Sequence, residues 1–112
     1  MKFRPIAGID VGKYFSEMAI LSPSNEVVAR MKIHHDSITD VERAVELLKK
    51  TEKDFASRPF VVMESTGHYH KILFYSLHIF QKFFYNNFLT FISWSSFSLR
   101  EQGDLEVEEF LP

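Results

Sequence analysis

Two carboxylates occupy matching contexts. Asp10 closes the apolar run Ile6-Ala7-Gly8-Ile9, and Gly12 follows two residues later. Glu64 closes the run Phe60-Val61-Val62-Met63 and is followed by Ser65-Thr66-Gly67. An apolar run ending in one acid and then a glycine turn predicts a buried strand with a carboxylate at its C-terminal end. Open sheets bind ligands at that end. Neighbouring strands lie about 4.8 Å apart, so two such acids could share one ligand. Close carboxylates repel unless a proton or cation lies between them. Mg2+ suits them, being a hard ion that prefers oxygen ligands and keeps exchangeable waters. Two such ions about 4 Å apart can flank a scissile phosphodiester. That chemistry normally draws on three or four carboxylates. Either acid alone reads more simply as a turn cap; the matched pair points to function.

Other polar residues carry less. Lys13 could touch phosphate, although a single lysine after a turn is ordinarily solvated. Tyr69 could stack on a base or simply pack. His34-His35 ends a strand and runs into Asp36, which reads as a surface turn and not a metal site. His68 and His70 are two apart, so a helix places them on different faces. Gly8 to Gly12 lacks the six-residue glycine fingerprint of dinucleotide binding and the lysine-serine ending of a phosphate loop.

The elements that must position the acids follow from patterning. Strands are expected at Ile6–Asp10, at about residues 14–21 and at about residues 26–34, with a turn at Ser22-Pro23-Ser24-Asn25. Strand three alternates, with Val27, Ala29, Met31 and Ile33 on one face and Arg30, Lys32 and His34 on the other, as in a half-exposed antiparallel strand. These three form a meander. A helix follows, with Ser37 or Thr39 as N-cap and a stripe of Ile38, Val41, Val45 and Leu48. It should end near Asp54 or Phe55, because Pro59 bars helix through Arg58. Phe60–Met63 then reads as an interior parallel strand covered on both faces, returning beside strand one. A second helix from about His68 should lay Ile72, Leu73, Phe74, Tyr75 and Leu77 on the sheet. The whole is the start of a three-layer α/β fold.

Composition bounds the rest. A chain of 112 residues, 46% hydrophobic, suffices for one domain. The net charge of −2 supplies no overall field for nucleic acid or anionic membrane. The absence of cysteine excludes disulfides and thiolate zinc sites, and the N-terminus lacks a secretory pattern; both fit the cytoplasm. There is a seam near His78. Residues 1–78 hold eleven Lys/Arg and ten Asp/Glu, whereas residues 79–112 hold two and five, along with seven of the twelve Phe. Phe83–Leu99 carries no charge, but seventeen residues diluted by Asn and Ser are short for a membrane span, and none is expected. A short strand around Leu89–Trp94 and an acidic, solvated terminus fit the tail.

Gly8-Ile9-Asp10-Val11-Gly12-Lys13, with Val62-Met63-Glu64-Ser65-Thr66-Gly67-His68-Tyr69 some fifty residues on, resembles the N-terminal domain of DEDD-type transposases of insertion-sequence family 110. The resemblance covers about residues 5–78. It implies an RNase H-like, RuvC-type α/β fold, begun here as a three-stranded antiparallel meander, helix, parallel central strand and helix, with an incomplete sheet. It implies Asp10 and Glu64 as the first two catalytic, metal-binding acids, with Mg2+ as cofactor. Ser65, Thr66, Gly67 and Tyr69 match the turn and helix start after the glutamate. Lys13, Thr66 and Tyr69 are weaker candidates for contact with nucleic acid. The family implies DNA transposition and recombination, with DNA and an element-encoded guide RNA as partners. Its third and fourth acids and its serine-nucleophile domain have no match here. The expected organisation is therefore a partial RuvC-like domain over 1–78, and over 79–112 an unrelated or out-of-frame tail left by a frameshift or rearrangement. Such a fragment should be inactive alone.

Two other functions compete. An actin- or sugar-kinase-like ATP-binding domain also begins with a strand, an aspartate and a glycine, but needs a second glycine-rich phosphate loop that is missing here. A non-catalytic interaction fragment, forming a homo-oligomer through an open sheet edge where strand five belongs, is the other.

Overall fold

The computed structural model describes residues 4–64 and 69–94. Its elements are β1 (Ile6–Val11), β2 (Phe15–Leu21), β3 (Val27–His34), α1 (Ile38–Phe55), β4 (Phe60–Glu64), α2 (Tyr69–Tyr85) and β5 (Thr90–Trp94). The strands form one mixed sheet in the order β3-β2-β1-β4-β5. β1–β2 and β2–β3 are antiparallel; β1–β4 and β4–β5 are parallel. The expected meander, helix, parallel strand and helix are all present.

Local chemistry sets the element ends. Asn25 adopts φ 72° in the β2–β3 turn, a conformation that asparagine tolerates. Ser37 caps α1 by accepting the Asp40 backbone N–H at 3.1 Å. Ala56 ends α1 in the left-handed region and donates its N–H to the Glu52 carbonyl.

The core lies on one side of the sheet. Ala7 and Ile9 face Ile20 and Met18 across the β1–β2 ladder, and Val61 and Met63 continue the same face through β4. Phe91 extends it onto β5. Val41, Ala44, Val45 and Leu48 of α1, with Leu73, Phe74 and Leu77 of α2, close over it. Both helices thus cover the same face, and the described residues form two layers where three were expected. β4 is interior in its sheet but covered on one face only, and Val62 keeps partial exposure. Ile72 and Tyr75, expected against the sheet, are more than half exposed. With 3.6 residues per turn, Leu73, Leu77 and Gln81 face inward, so positions 72, 75 and 79 face solvent.

The change of composition near His78 coincides with no break in secondary structure. α2 runs through it to Tyr85, and β5 pairs along β4 from Phe60↔Thr90 to Glu64↔Trp94. The position of strand five, expected as an open edge, is therefore occupied. Gln81, fully buried, organises this passage. Its Nε2 donates to the Asn87 Oδ1 at 2.6 Å and to the His78 carbonyl at 3.2 Å. Its Oε1 accepts the Leu89 N–H at 3.2 Å. Asn86 and Asn87 both take positive φ, turning the chain sharply enough to enter β5. Of the apolar stretch 83–99, the described part ends α2 and forms β5, and among the described residues no helix is long and apolar enough to cross a membrane.

Two outcomes test this passage. Gln81→Met keeps the volume but strands the Leu89 N–H; a loss of about 2 kcal/mol is expected in urea unfolding. His78 is buried, stacked on Phe74 at 5.3 Å, and its Nδ1 finds no hydrogen-bond partner among the described residues. Burial, then the charge of Lys82, holds its pKa below the ordinary 6.5. Folding therefore favours the neutral ring. This contribution to stability is complete above pH 6.5 and is lost as pH falls from there through the lower folded value. Melting curves should show that loss for the natural chain and a reduced one for His78→Phe.

Candidate functional site

Asp10 is the fifth residue of β1, near its C-terminal end, and is exposed. The β1–β4 register pairs Ile6 with Phe60 and Ile9 with Met63. One further step brings Asp10 level with Glu64 on the adjacent strand. The two expected acids therefore stand side by side along the backbone, one strand spacing or about 4.8 Å apart. Asp10 belongs to the face away from the helices, because Ile9 and Ala7 point into the core and side chains alternate along a strand.

The hairpin that follows holds Asp10 in place. The Gly12 N–H donates to the Phe15 carbonyl at 3.1 Å. A Cβ on Gly12 would lie 2.5 Å from that same backbone oxygen, so the turn requires glycine. Lys13 is exposed in the turn, with its Nζ 5.2 Å from the Tyr14 ring centroid. Tyr69 begins α2 and is partly exposed. Thr66 and its neighbours 65–68 lie outside the described residues.

The ladder adds a residue that patterning did not single out. Glu17 pairs with Asp10 on one side and Lys32 on the other. One row across the strands thus reads Lys32, Glu17, Asp10, Glu64, Trp94. The hairpin register of β1 and β2 would have revealed Glu17, but the length of a turn must be known before that register can be assigned. Beneath this row, Gly8 and Ala19 leave a shallow groove of about 600 Å3, lined also by Asp10, Glu17, Arg30 and Val62. A Cβ on Gly8 would meet nothing within 4 Å.

His34 and His35 serve structure. His34 donates its backbone N–H to Asp40 Oδ2 at 2.9 Å, and its Nδ1 lies 2.8 Å from the same oxygen. These bonds, the backbone one first, hold the Asp40 carboxyl below its usual range. His35 turns the other way, with Nε2 2.7 Å from the buried Ser16 Oγ, and burial lowers its pKa. Among the described residues no three His, Cys, Asp or Glu side chains gather as a metal site.

A mixed 3-2-1-4-5 sheet with acids at the carboxyl ends of two adjacent parallel strands is an RNase H-like start. The sequence pattern of the DEDD-type transposases of insertion-sequence family 110, described simply as transposase, matches residues 7–102. The chain belongs to that family. The match runs past residue 78. No curated protein matches the sequence. Among solved structures, a Ppx/GppA family member from Aquifex aeolicus aligns at 13% identity and TM-score 0.41, over 82% of this chain and 36% of that one. A type II variant of the Aquifex aeolicus Ppx/GppA phosphatase aligns at 15% and 0.41, over 80% and 36%. An exopolyphosphatase from Cytophaga hutchinsonii aligns at 18% and 0.38, over 80% and 34%. The chain spans about a third of the length of each.

Gly12→Ala should therefore disturb the turn that presents Asp10. A loss of about 2 kcal/mol in urea unfolding is expected, against near neutrality for Lys13→Ala.

Proposed function

We propose that this chain supplies the first half of a metal-dependent phosphodiester-cleaving centre used in DNA transposition. One observation carries the reading: in a chain of this family, Asp10 and Glu64 stand level on neighbouring parallel strands. The donor set fits Mg2+, which takes hard oxygen ligands and tolerates a site completed by water and phosphate. Asp10 and Glu64 would hold the ion; bound there, it would polarise a phosphodiester and lower the pKa of a water. In this reading Lys13, Thr66 and Tyr69, which follow the two acids in sequence, contact the nucleic acid. DNA is the partner, with an element-encoded guide RNA, in the cytoplasm.

The family's chemistry uses four acids, and this sequence matches two of them. On the chain alone, metal binding is weak and strand cleavage does not occur. Residues 79–112 then contribute no catalytic group; of these, 79–94 finish α2 and add β5 to the sheet.

Isothermal titration with Mn2+ or Mg2+ tests this. Weak binding is expected, reduced at least about tenfold by Asp10→Asn or Glu64→Gln. Binding indifferent to both substitutions, or as tight as in a complete nuclease, would contradict the proposal.

A further inference from the structure

We infer that the β2–β3 side of the open sheet face is a platform for a single strand of nucleic acid, with Arg30 and Lys32 on its phosphates and Phe15 against a base. This rests on the reading of Asp10 and Glu64 given above and extends it to the substrate's path. Arg30 and Lys32 alternate on β3 toward the face that the helices leave bare, and both are exposed. Among the described residues neither makes an ion pair, although Glu17 stands directly across from Lys32. Their charges are therefore unspent.

Phe15 lies at the same rim, 39% exposed, with the Lys32 Nζ 4.3 Å from its ring centroid. A cation beside an exposed ring is the pairing used to hold a phosphate and stack a base without sequence preference. Lys32 is two strand spacings, about 10 Å, from Asp10. A strand gripped there extends across the groove to the acids. Gly8 and Ala19 floor the path, and the open space above Gly8 lets a backbone lie close. Glu17 and Asp10 repel phosphate, which sets the track along the β3 side until a cation offsets the acids. The occupant is a single strand because the bases of a duplex are stacked on one another and cannot reach Phe15.

Fluorescence anisotropy with a labelled single-stranded DNA, an RNA of the same sequence and the DNA duplex tests this. It is run in EDTA on the full chain, over a series of salt concentrations from low salt upward. The single strands should bind more tightly than the duplex, and the DNA and RNA arms identify the preferred backbone. Arg30→Ala with Lys32→Ala should lower affinity about tenfold and reduce the salt slope by about 1.4, for two phosphate contacts. Phe15→Ala should cost about tenfold without changing the slope. Gly8→Val should weaken binding while leaving thermal stability intact. Equal affinity and slope for the double variant, or a duplex bound as tightly, overturns the inference. Asp10→Asn, which removes one of the repelling charges, should strengthen strand binding in EDTA, and a loss would count against this track. If Mn2+ fails to bind while strand binding still depends on Arg30 and Lys32, the metal reading falls and this one stands. The reverse pattern removes this one alone.

Discussion

The parallel pairing of β1 with β4 is the constraint on which the rest depends. It joins residues separated by more than fifty positions in sequence, from Ile6↔Phe60 to Ile9↔Met63. Parallel strands cannot be joined by a tight turn, so the chain between them must leave the sheet and return. Here it adds β2 and β3 outside β1, then crosses over as α1. The same pairing aligns the C-terminal ends of both strands and sets Asp10 level with Glu64. A shift of one residue would turn the core face of β4 outward, placing Val61 and Met63 in solvent. Burial of those side chains thus fixes the register, and the register fixes the acids.

Both helices fall on one face, which divides the molecule into a packed side and an open side. The packed side is apolar and continuous from Ile33 to Phe91. The open side carries Asp10, Glu17, Arg30 and Lys32 around a floor of small residues. A net charge near zero hides this local separation of charge. Composition alone gave no field for nucleic acid; the sheet gathers the relevant groups onto one surface.

Residues 79–94 illustrate how composition and structure can diverge. The excess of Phe and Asn after His78 looks foreign beside the balanced charges before it. Yet Gln81 ties α2 to β5 through a buried amide, and Phe91 packs edge-on against Phe74 with ring centroids 5.0 Å apart. The asparagines that dilute the apolar run, Asn86 and Asn87, are the residues that turn the chain at positive φ. A stretch with no clear period therefore still holds a helix end, a turn and a strand, each with a local cause.

The sequence by itself determined the strands of the meander, the capped helix, the two apolar runs and the acid at the end of each. Those are local properties: alternation, helical spacing, proline and glycine placement, and the motifs of the transposase family. Only the tertiary structure decided that both helices share one face, that Ile72 and Tyr75 point outward, and that Glu17 stands opposite Asp10. Each of these depends on which strands neighbour one another and in what register. Hydrophobic patterning marks which residues are buried but not against what, so the partners of Asp10 emerge only when the ladders are formed.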